Sequence, residues 1–338
     1  MMPNALAPAS QTLVLLAGRA AHYAVRAHGE GTRRAYRSAW RGYEAFCRAH
    51  GRAPLAGDVE TVAMYAVARA DAGLSVASLR VHLAAIRAAH RLAGVPLDLA
   101  HPLLAPVLAG IARSQGVRPR RQAAPALPAV LRAMLAARPA AGALGARDRA
   151  MLLLGFAAAL RRSELVALRL GDVTEVAGRG LLVLVRRSKT DALGAGEQVA
   201  VCANPADPGF CPAAALRTWL VHRLAARDLA GAALDTELPL FCAITKSGRP
   251  TGAALSDKAV VRLVKQAAAA AGFDAAQYSG HSLRAGLATA AAEAGADLPA
   301  LMRQTRHRSV GVALRYVRPA ELWRGNVTQG LFGARTQP

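Results

Sequence analysis

The segment Y-S-G-H-S-L-R-A-G-L-A-T at residues 278–289 is followed, after a helical spacer, by R-Q-T-R-H-R-S-V-G-V-A-L-R-Y-V-R at residues 303–318. These segments contain two histidines, an arginine and a tyrosine at fixed spacing. An arginine carries a planar set of donors that fits two phosphate oxygens. Histidines donate hydrogen bonds or move protons near neutral pH, and a tyrosine can act as a covalent nucleophile. The spacing therefore indicates a candidate phosphoryl-transfer site, and it shows no pattern typical of a metal site.

The order of these residues resembles a known family signature. H-x-x-R, then H-x-S, then a tyrosine nine residues after the second histidine is similar to the C-terminal signature of the tyrosine recombinase (phage integrase) family. The segment A-L-R-R-S-E-L-V-A-L-R-L-G-D at 159–172 is similar to the family's first box, which Asp172 closes. The resemblance implies catalytic roles for Arg161, Lys189, His281, Arg284, His307 and Tyr316, with Glu164 as a supporting acid.

Two positions depart from the family pattern, because Ala159 and Arg306 stand where glycine is usual. We expect the arginine either to alter the local backbone geometry or to add a contact to phosphate. Lys189 is one of four lysines among 43 basic residues. Its amine can give up a proton, which a guanidinium effectively cannot.

The charge of the chain indicates a polyanionic partner. The formal net charge is +22 and the pI is about 11.4, which is extreme for a metabolic enzyme and favours nucleic acid over a membrane surface. A general arginine bias in composition is the alternative explanation. The four cysteines show no C-x-x-C pattern and are expected to be reduced. No apolar run approaches the roughly 20 residues of a membrane span, and residues 12–17 make no convincing signal peptide.

Residues 1–14 are predicted to be a flexible tail and residues 15–113 a helical DNA-binding domain. Its helices are predicted at Thr32–His50, Asp58–Ala72, Ser75–Leu92 and Leu103–Arg113. Two of them carry an arginine stripe opposite an apolar stripe, and a basic, proline-containing linker follows at 114–127. His90 is expected to be a packed core residue. The predicted DNA contacts are Arg34, Arg37, Arg41, Arg80, Arg87, Arg91, Arg118, Arg120 and Arg121.

Residues 128–325 are predicted to form the catalytic domain, followed by a C-terminal tail at 326–338. Helices are expected at Pro128–Arg138, Ala146–Ala158, Pro212–Ala226 and Ser256–Ala271. The β-prone runs Leu181–Arg186 and Glu197–Val201 predict a β-hairpin whose loop contains the lysine of the signature. The apolar segment after residue 320 either packs on its own domain or, as the resemblance implies, docks on a neighbouring subunit.

The fold class expected from these features is mainly α with a small β-hairpin or sheet. The resemblance implies a helical core-binding domain and a mixed α/β catalytic domain that form a C-shaped clamp around duplex DNA. It also implies a site-specific recombinase that works through a 3′-phosphotyrosyl intermediate and a Holliday junction, without metal or ATP, as a homotetramer in the cytoplasm with the nucleoid. A type IB topoisomerase, a hairpin-forming resolvase and a non-catalytic DNA-binding regulator remain as alternatives, with an RNA-associated basic protein behind them.

Overall fold

The computed structural model describes residues 19, 29–117, 122–138, 141–188, 195–225, 235–321, 326 and 328. The chain divides into two compact units, residues 1–121 and 122–338. Four of the residues singled out in the sequence lie outside the described part: Lys189, Arg118, Arg120 and Arg121. Within the described part, no helix is both long enough and apolar enough to cross a membrane.

The described part of the first unit is helical. Its elements are α1 (Glu30–Ala49), α2 (Val59–Asp71), α3 (Val76–Leu92) and α4 (Ala105–Gln115). The side chains of Asp58 and Ser75 cap α2 and α3 by accepting hydrogen bonds from the first turn, which is a common role for these residue types at a helix start. The predicted start of α1 is wrong, because Thr32 lies inside the helix and Gly29 is the N-cap residue. The predicted start of α4 is two residues too early.

The core of the first unit is formed by the apolar faces of these amphipathic helices. Tyr43 of α1 packs edge-on against Tyr65 of α2, with ring centroids 5.1 Å apart, and Ile86 of α3 and Leu104 are fully buried beside them. His90 is also buried, and its Nδ1 lies 2.9 Å from the carbonyl oxygen of Ile86. The structural interpretation of this histidine is therefore confirmed.

The second unit is built around helices. They are α5 (Pro128–Ala136), α6 (Gly142–Ala157), α7 (Arg162–Ala167), α8 (Pro212–Ala225), α9 (Asp257–Ala270), α10 (Ser282–Glu293), α11 (Leu298–Thr305) and α12 (Val310–Glu321). The start predicted for α6 is wrong by four residues, because the sequence there has no polar capping residue and Ala143 is buried as part of the helix. Consecutive residues from Ala150 to Phe156 are buried, so the second half of α6 is covered on all sides and lies in the core of the unit.

Two small antiparallel sheets accompany these helices. The first pairs β1 (Val173–Val176), β2 (Gly180–Val185) and β3 (Glu197–Cys202), and the second pairs β4 (Cys242–Ile244) with β5 (Pro250–Ala254). The predicted hairpin is confirmed as β2 and β3, with Leu182 opposite Ala200. The hydrophobic pattern of the sequence did not predict β1, because this strand is mostly exposed and lacks alternating apolar residues. The mainly helical class with a small sheet is confirmed.

We predict that Gly286→Ala destabilises the second unit. A Cβ at this position in α10 would lie 2.1 Å from the carbonyl oxygen of Ala126, which is backbone and cannot rotate away. Such overpacking costs about 1–3 kcal/mol, measurable as a lower midpoint of thermal unfolding. Gly311→Ala in α12 is the matched control, because its Cβ would meet nothing closer than the hydroxyl of Ser309 at 3.8 Å. Equal midpoints for the two variants would contradict the prediction.

Candidate active site

The site begins at the carboxyl end of α6. Ala159 adopts a left-handed backbone conformation with φ of 47°, and two arginine side chains meet the carbonyl groups there. Nη1 of Arg284 donates to the oxygen of Ala159 over 2.7 Å. Arg306 donates from Nη1 to Ala158 over 2.9 Å and from Nη2 to Ala159 over 3.1 Å. Positive side chains are favourable at the carbonyl end of a helix, so this end draws both arginines into the protein.

A buried carboxylate balances part of this positive charge. Glu164 in α7 accepts from Nη1 of Arg161 at 2.5 Å, from the backbone N–H of Arg161 at 2.9 Å and from Nη2 of Arg306 at 2.8 Å. Burial alone would raise the pKa of this carboxyl, but the N–H of Arg161 and the charges of Arg306 and Arg161 outweigh burial and lower it. Glu164 is therefore ionised and orients two guanidinium groups, and it has no proton to transfer at neutral pH.

Arg284 is a buried cation whose hydrogen-bond donors are not all used. Burial lowers its pKa to about 10, and the positive charges of Arg161 and Arg306 act in the same direction. The guanidinium stays protonated at neutral pH. Among the described residues its Nη2 atom has no hydrogen-bond partner. A buried donor in this state favours an anionic ligand.

The phenol of Tyr316, from α12, lies against the first histidine of the signature. Its Oη is 3.1 Å from Nε2 of His281. Loss of hydration raises the pKa of Tyr316, although Arg284, Arg315 and Arg161 pull it downward. Loss of hydration also lowers the pKa of His281, and Arg284 and Arg161 lower it further. At neutral pH the pair is thus a protonated phenol beside a neutral imidazole, which is the state in which a histidine can accept a proton.

The second histidine, His307, stacks near the ring of Tyr316. The rings of His307 and Tyr316 are nearly parallel, 13° apart, with centroids separated by 5.8 Å. Nδ1 of His307 is 2.9 Å from the hydroxyl of Thr305. Burial lowers the pKa of His307 to about 4, and the charges of Arg284 and Arg161 contribute. Arg161, Glu164, His281, Arg284, His307 and Tyr316 therefore form one connected centre.

Comparison with known proteins identifies the family to which the chain is related. Residues 128–322 match the model of the phage integrase family. The chain is similar to an integrase/recombinase XerD homologue of Selenomonas ruminantium, with 31% identity over 315 residues, covering 91% of this chain and 87% of the relative. It is also similar to the recombinase Cre of Escherichia phage P1, with 25% identity over 309 residues, 87% of this chain and 85% of that protein.

The chain belongs to the phage integrase family. Its fold is similar to that of a lambda integrase fragment solved on a DNA core site, with a TM-score of 0.56, 18% identity and coverage of 89% of this chain and 93% of the other. As a member of the phage integrase family of tyrosine recombinases, it is a DNA strand transferase.

The remaining predicted residues lie outside this centre. Asp172 is buried but joins a different network, in which it accepts from the N–H of Arg169 at 2.9 Å and from Nε of Arg186 at 2.5 Å. Lys189 lies outside the described residues. In the first unit, one groove is lined mostly by side chains of α1 and α3, including Tyr36. Three of the predicted DNA contacts line it: Arg80, Arg87 and Arg91. Arg34, Arg37 and Arg41 are exposed on α1, and the first of them is paired with Glu30 at 2.9 Å.

Arg306 is a site residue whose role the sequence did not reveal. The expectation that it could contact phosphate is wrong for the free protein, because its side chain is about 1% exposed and is bound to Glu164. Its backbone takes the left-handed conformation, with φ of 55°, which explains why glycine suits this position. The departure from the family glycine was a signal that the position is special, but its direction into the protein could not be read from the sequence.

We predict that Arg306→Ala destabilises the protein by about 3 kcal/mol, because it removes a donor from the buried carbonyls of Ala158 and Ala159 and takes from Glu164 one of its two hydrogen-bonded arginines. Arg308→Ala is the matched control, since Arg308 is exposed two residues away and its loss should change stability by less than about 0.5 kcal/mol. Denaturant unfolding measures both. The double variant Arg306→Ala with Glu164→Gln should recover part of the loss. Equal stability of the two single variants would refute the assignment.

Proposed function

We propose that the protein is a site-specific recombinase that cleaves and rejoins DNA through a 3′-phosphotyrosyl intermediate, without metal or ATP. The observation that carries this proposal is the 3.1 Å contact between Oη of Tyr316 and Nε2 of His281 beside the Arg161, Arg284 and Glu164 cluster. A nucleophile, a proton acceptor and two cations for phosphate oxygens are thereby combined in one centre. Exchange of strands between two duplexes would then pass through a Holliday junction.

The proposed cleavage step conserves atoms and charge. The oxygen of Tyr316 attacks phosphorus as its proton passes to Nε2 of His281, which is neutral before the reaction. The bond between phosphorus and the 5′ oxygen breaks, and that oxygen receives a proton. We assign this proton to Lys189 from the resemblance alone, because an amine can act as an acid near neutral pH when its environment lowers its pKa. Rejoining reverses these steps with the 5′-hydroxyl of another strand.

Two arginines are proposed to stabilise the charge that develops on phosphorus. Nη2 of Arg284, which lacks a partner among the described residues, would donate to one non-bridging oxygen, and Arg161 would donate to the other. Arg161 is held by Glu164 with about 20% of its side chain exposed, so it is oriented but reachable. Donors fixed in advance contribute more to catalysis than donors that must reorganise during the reaction.

The partner is proposed to be double-stranded DNA, bound by residues 15–113, the 114–127 linker and the catalytic domain at 128–325. The groove lined by Arg80, Arg87 and Arg91 supports this proposal, because three exposed cations along one helix can contact successive phosphates. Several structural neighbours were solved on DNA, among them XerH on its difH substrate, with a TM-score of 0.54. We further propose a homotetramer on paired sites, acting at the nucleoid.

Trapping of a covalent adduct tests the function. The protein is incubated with supercoiled plasmid and nicked duplexes from its own genomic neighbourhood, denatured in detergent and examined for protein attached to a DNA 3′ end. We expect an adduct with the wild type and none with Tyr316→Phe, because the variant lacks the attacking oxygen. Tyr278→Phe is the matched control, since this tyrosine is buried outside the centre, against Phe273, and it should retain the adduct.

The outcomes separate the alternatives. Loss of the adduct in Tyr316→Phe alone supports the nucleophile, and the products then distinguish strand exchange from relaxation or hairpin formation. Binding to a demonstrably recognised site without any adduct would overturn the proposal in favour of a non-catalytic regulator.

The DNA groove of the first unit gives a separate prediction. Arg87→Ala should weaken binding about equally for all sequences and make the slope of log affinity against log salt shallower by about 1, as expected for the loss of one phosphate contact. Binding titrations at several salt concentrations measure this slope. Arg113→Ala, an exposed arginine of α4 that does not line the groove, serves as the control. Equal slopes for both variants would argue against DNA contact in the groove.

A further inference from the structure

The hydroxyl of Thr305 lies between a backbone carbonyl and a ring of the reaction centre. Thr305 is the last residue of α11 and is fully buried. Its Oγ1 is 2.7 Å from the carbonyl oxygen of Leu301 and 2.9 Å from Nδ1 of His307. Both distances are in the range of normal hydrogen bonds, so the hydroxyl makes two bonds at once.

The two bonds fix the position of two hydrogen atoms. A carbonyl oxygen can only accept, and a hydroxyl has a single hydrogen to donate. The hydrogen of Thr305 is therefore used on Leu301, which leaves Oγ1 as an acceptor toward the imidazole. Nδ1 of His307 must then carry a hydrogen. In a neutral imidazole only one nitrogen is protonated, so Nε2 of His307 carries a lone pair.

We propose that Thr305 is a positioning residue that holds neutral His307 in the Nδ1–H tautomer. Its effect on the chemistry rests on the proposed function. In this tautomer Nε2 of His307 can accept a hydrogen bond but cannot give one to a phosphate oxygen. The ring becomes a donor at Nε2 only after it takes up a proton, so the threonine couples phosphate contact by His307 to protonation.

The charges around His307 indicate whether DNA binding favours or opposes its protonation. The groups whose charges act on the ring are Arg161, His281, Arg284 and Arg306, and Tyr316 of α12 stacks on it. Glu164 offsets part of the charge of Arg284. His307 also lines a cavity together with Glu197 of β3, Arg303 and Arg308. Positive charges predominate, and together with burial they disfavour an imidazolium in the free protein. A bound phosphodiester adds a negative charge, which stabilises the imidazolium. DNA binding is therefore expected to bring a proton to Nε2.

Nuclear magnetic resonance of the free protein tests the tautomer directly. The protein is labelled with ¹⁵N-histidine, and long-range proton–nitrogen correlations are recorded at pH 7, with His307 assigned from its loss in His307→Gln. We expect the wild type to show a protonated Nδ1 and an unprotonated Nε2. Thr305→Ser, which keeps the hydroxyl, should show the same pattern. Thr305→Val, which keeps the shape but loses the hydroxyl, should lose the Nδ1–H signal and gain an Nε2–H signal.

The wild-type spectrum is decisive without any variant, because an Nε2–H tautomer there would overturn the proposal. An unchanged pattern in Thr305→Val, with the other eight histidines showing a folded protein, would also overturn it. A second spectrum with a duplex containing the trapped site tests the coupling: two protonated nitrogens on His307 support it, and an unprotonated Nε2 refutes it. If a demonstrably recognised site gives no adduct, the proposed function fails, while the free-protein spectrum still decides the tautomer.

Discussion

The carboxyl end of α6 is the constraint on which the rest of the centre depends. Its last carbonyl groups have no partners within the helix, and side chains from distant parts of the chain satisfy them. Nε2 of Gln304 donates to Ala157 at 2.8 Å and to Ala200 of β3 at 3.1 Å, while Arg284 and Arg306 bind the next two carbonyls. The end of α6 thus fixes α10, α11 and the three-stranded sheet relative to one another. His281 adjoins α10 and His307 follows α11, so this arrangement also positions the two histidines beside Tyr316.

The centre carries an excess of positive charge when no anion is bound. Among the described residues of the centre, three guanidinium groups surround one buried carboxylate, and burial together with the arginine charges keeps both histidines neutral. Tyr316 keeps its proton for the same reason that the histidines lack one, because the site is poorly hydrated. A phosphodiester supplies the missing negative charge. The substrate therefore completes the charge balance of the site.

The motif residues could be predicted from the sequence because their order and spacing are specific, and most helices because apolar residues recur on one face. Glu164, which the family resemblance marks as a supporting acid, contacts Arg161 and Arg306. The burial of the Arg306 side chain could not be predicted, because an arginine in so basic a chain is expected on the surface. Its burial also depends on carbonyl groups about 148 residues away in the sequence. The role of Thr305 was missed for a similar reason: a threonine at a helix end has no distinctive signal until its two partners are placed. The strands β4 and β5 are too short to show a pattern.

The helix that carries Tyr316, α12, packs on a different apolar cluster from the rest of the unit. α12 packs with α10 and α11 over a small cluster, in which Ala288, Ala292, Leu301 and Val317 are buried, apart from the large core that surrounds α6. Little apolar surface holds this cluster together, so local opening there requires less free energy than global unfolding. Under the proposed function, local opening of this cluster would move the oxygen of Tyr316 away from Arg284 without unfolding the core around α6, so that reactivity would be lost before the fold.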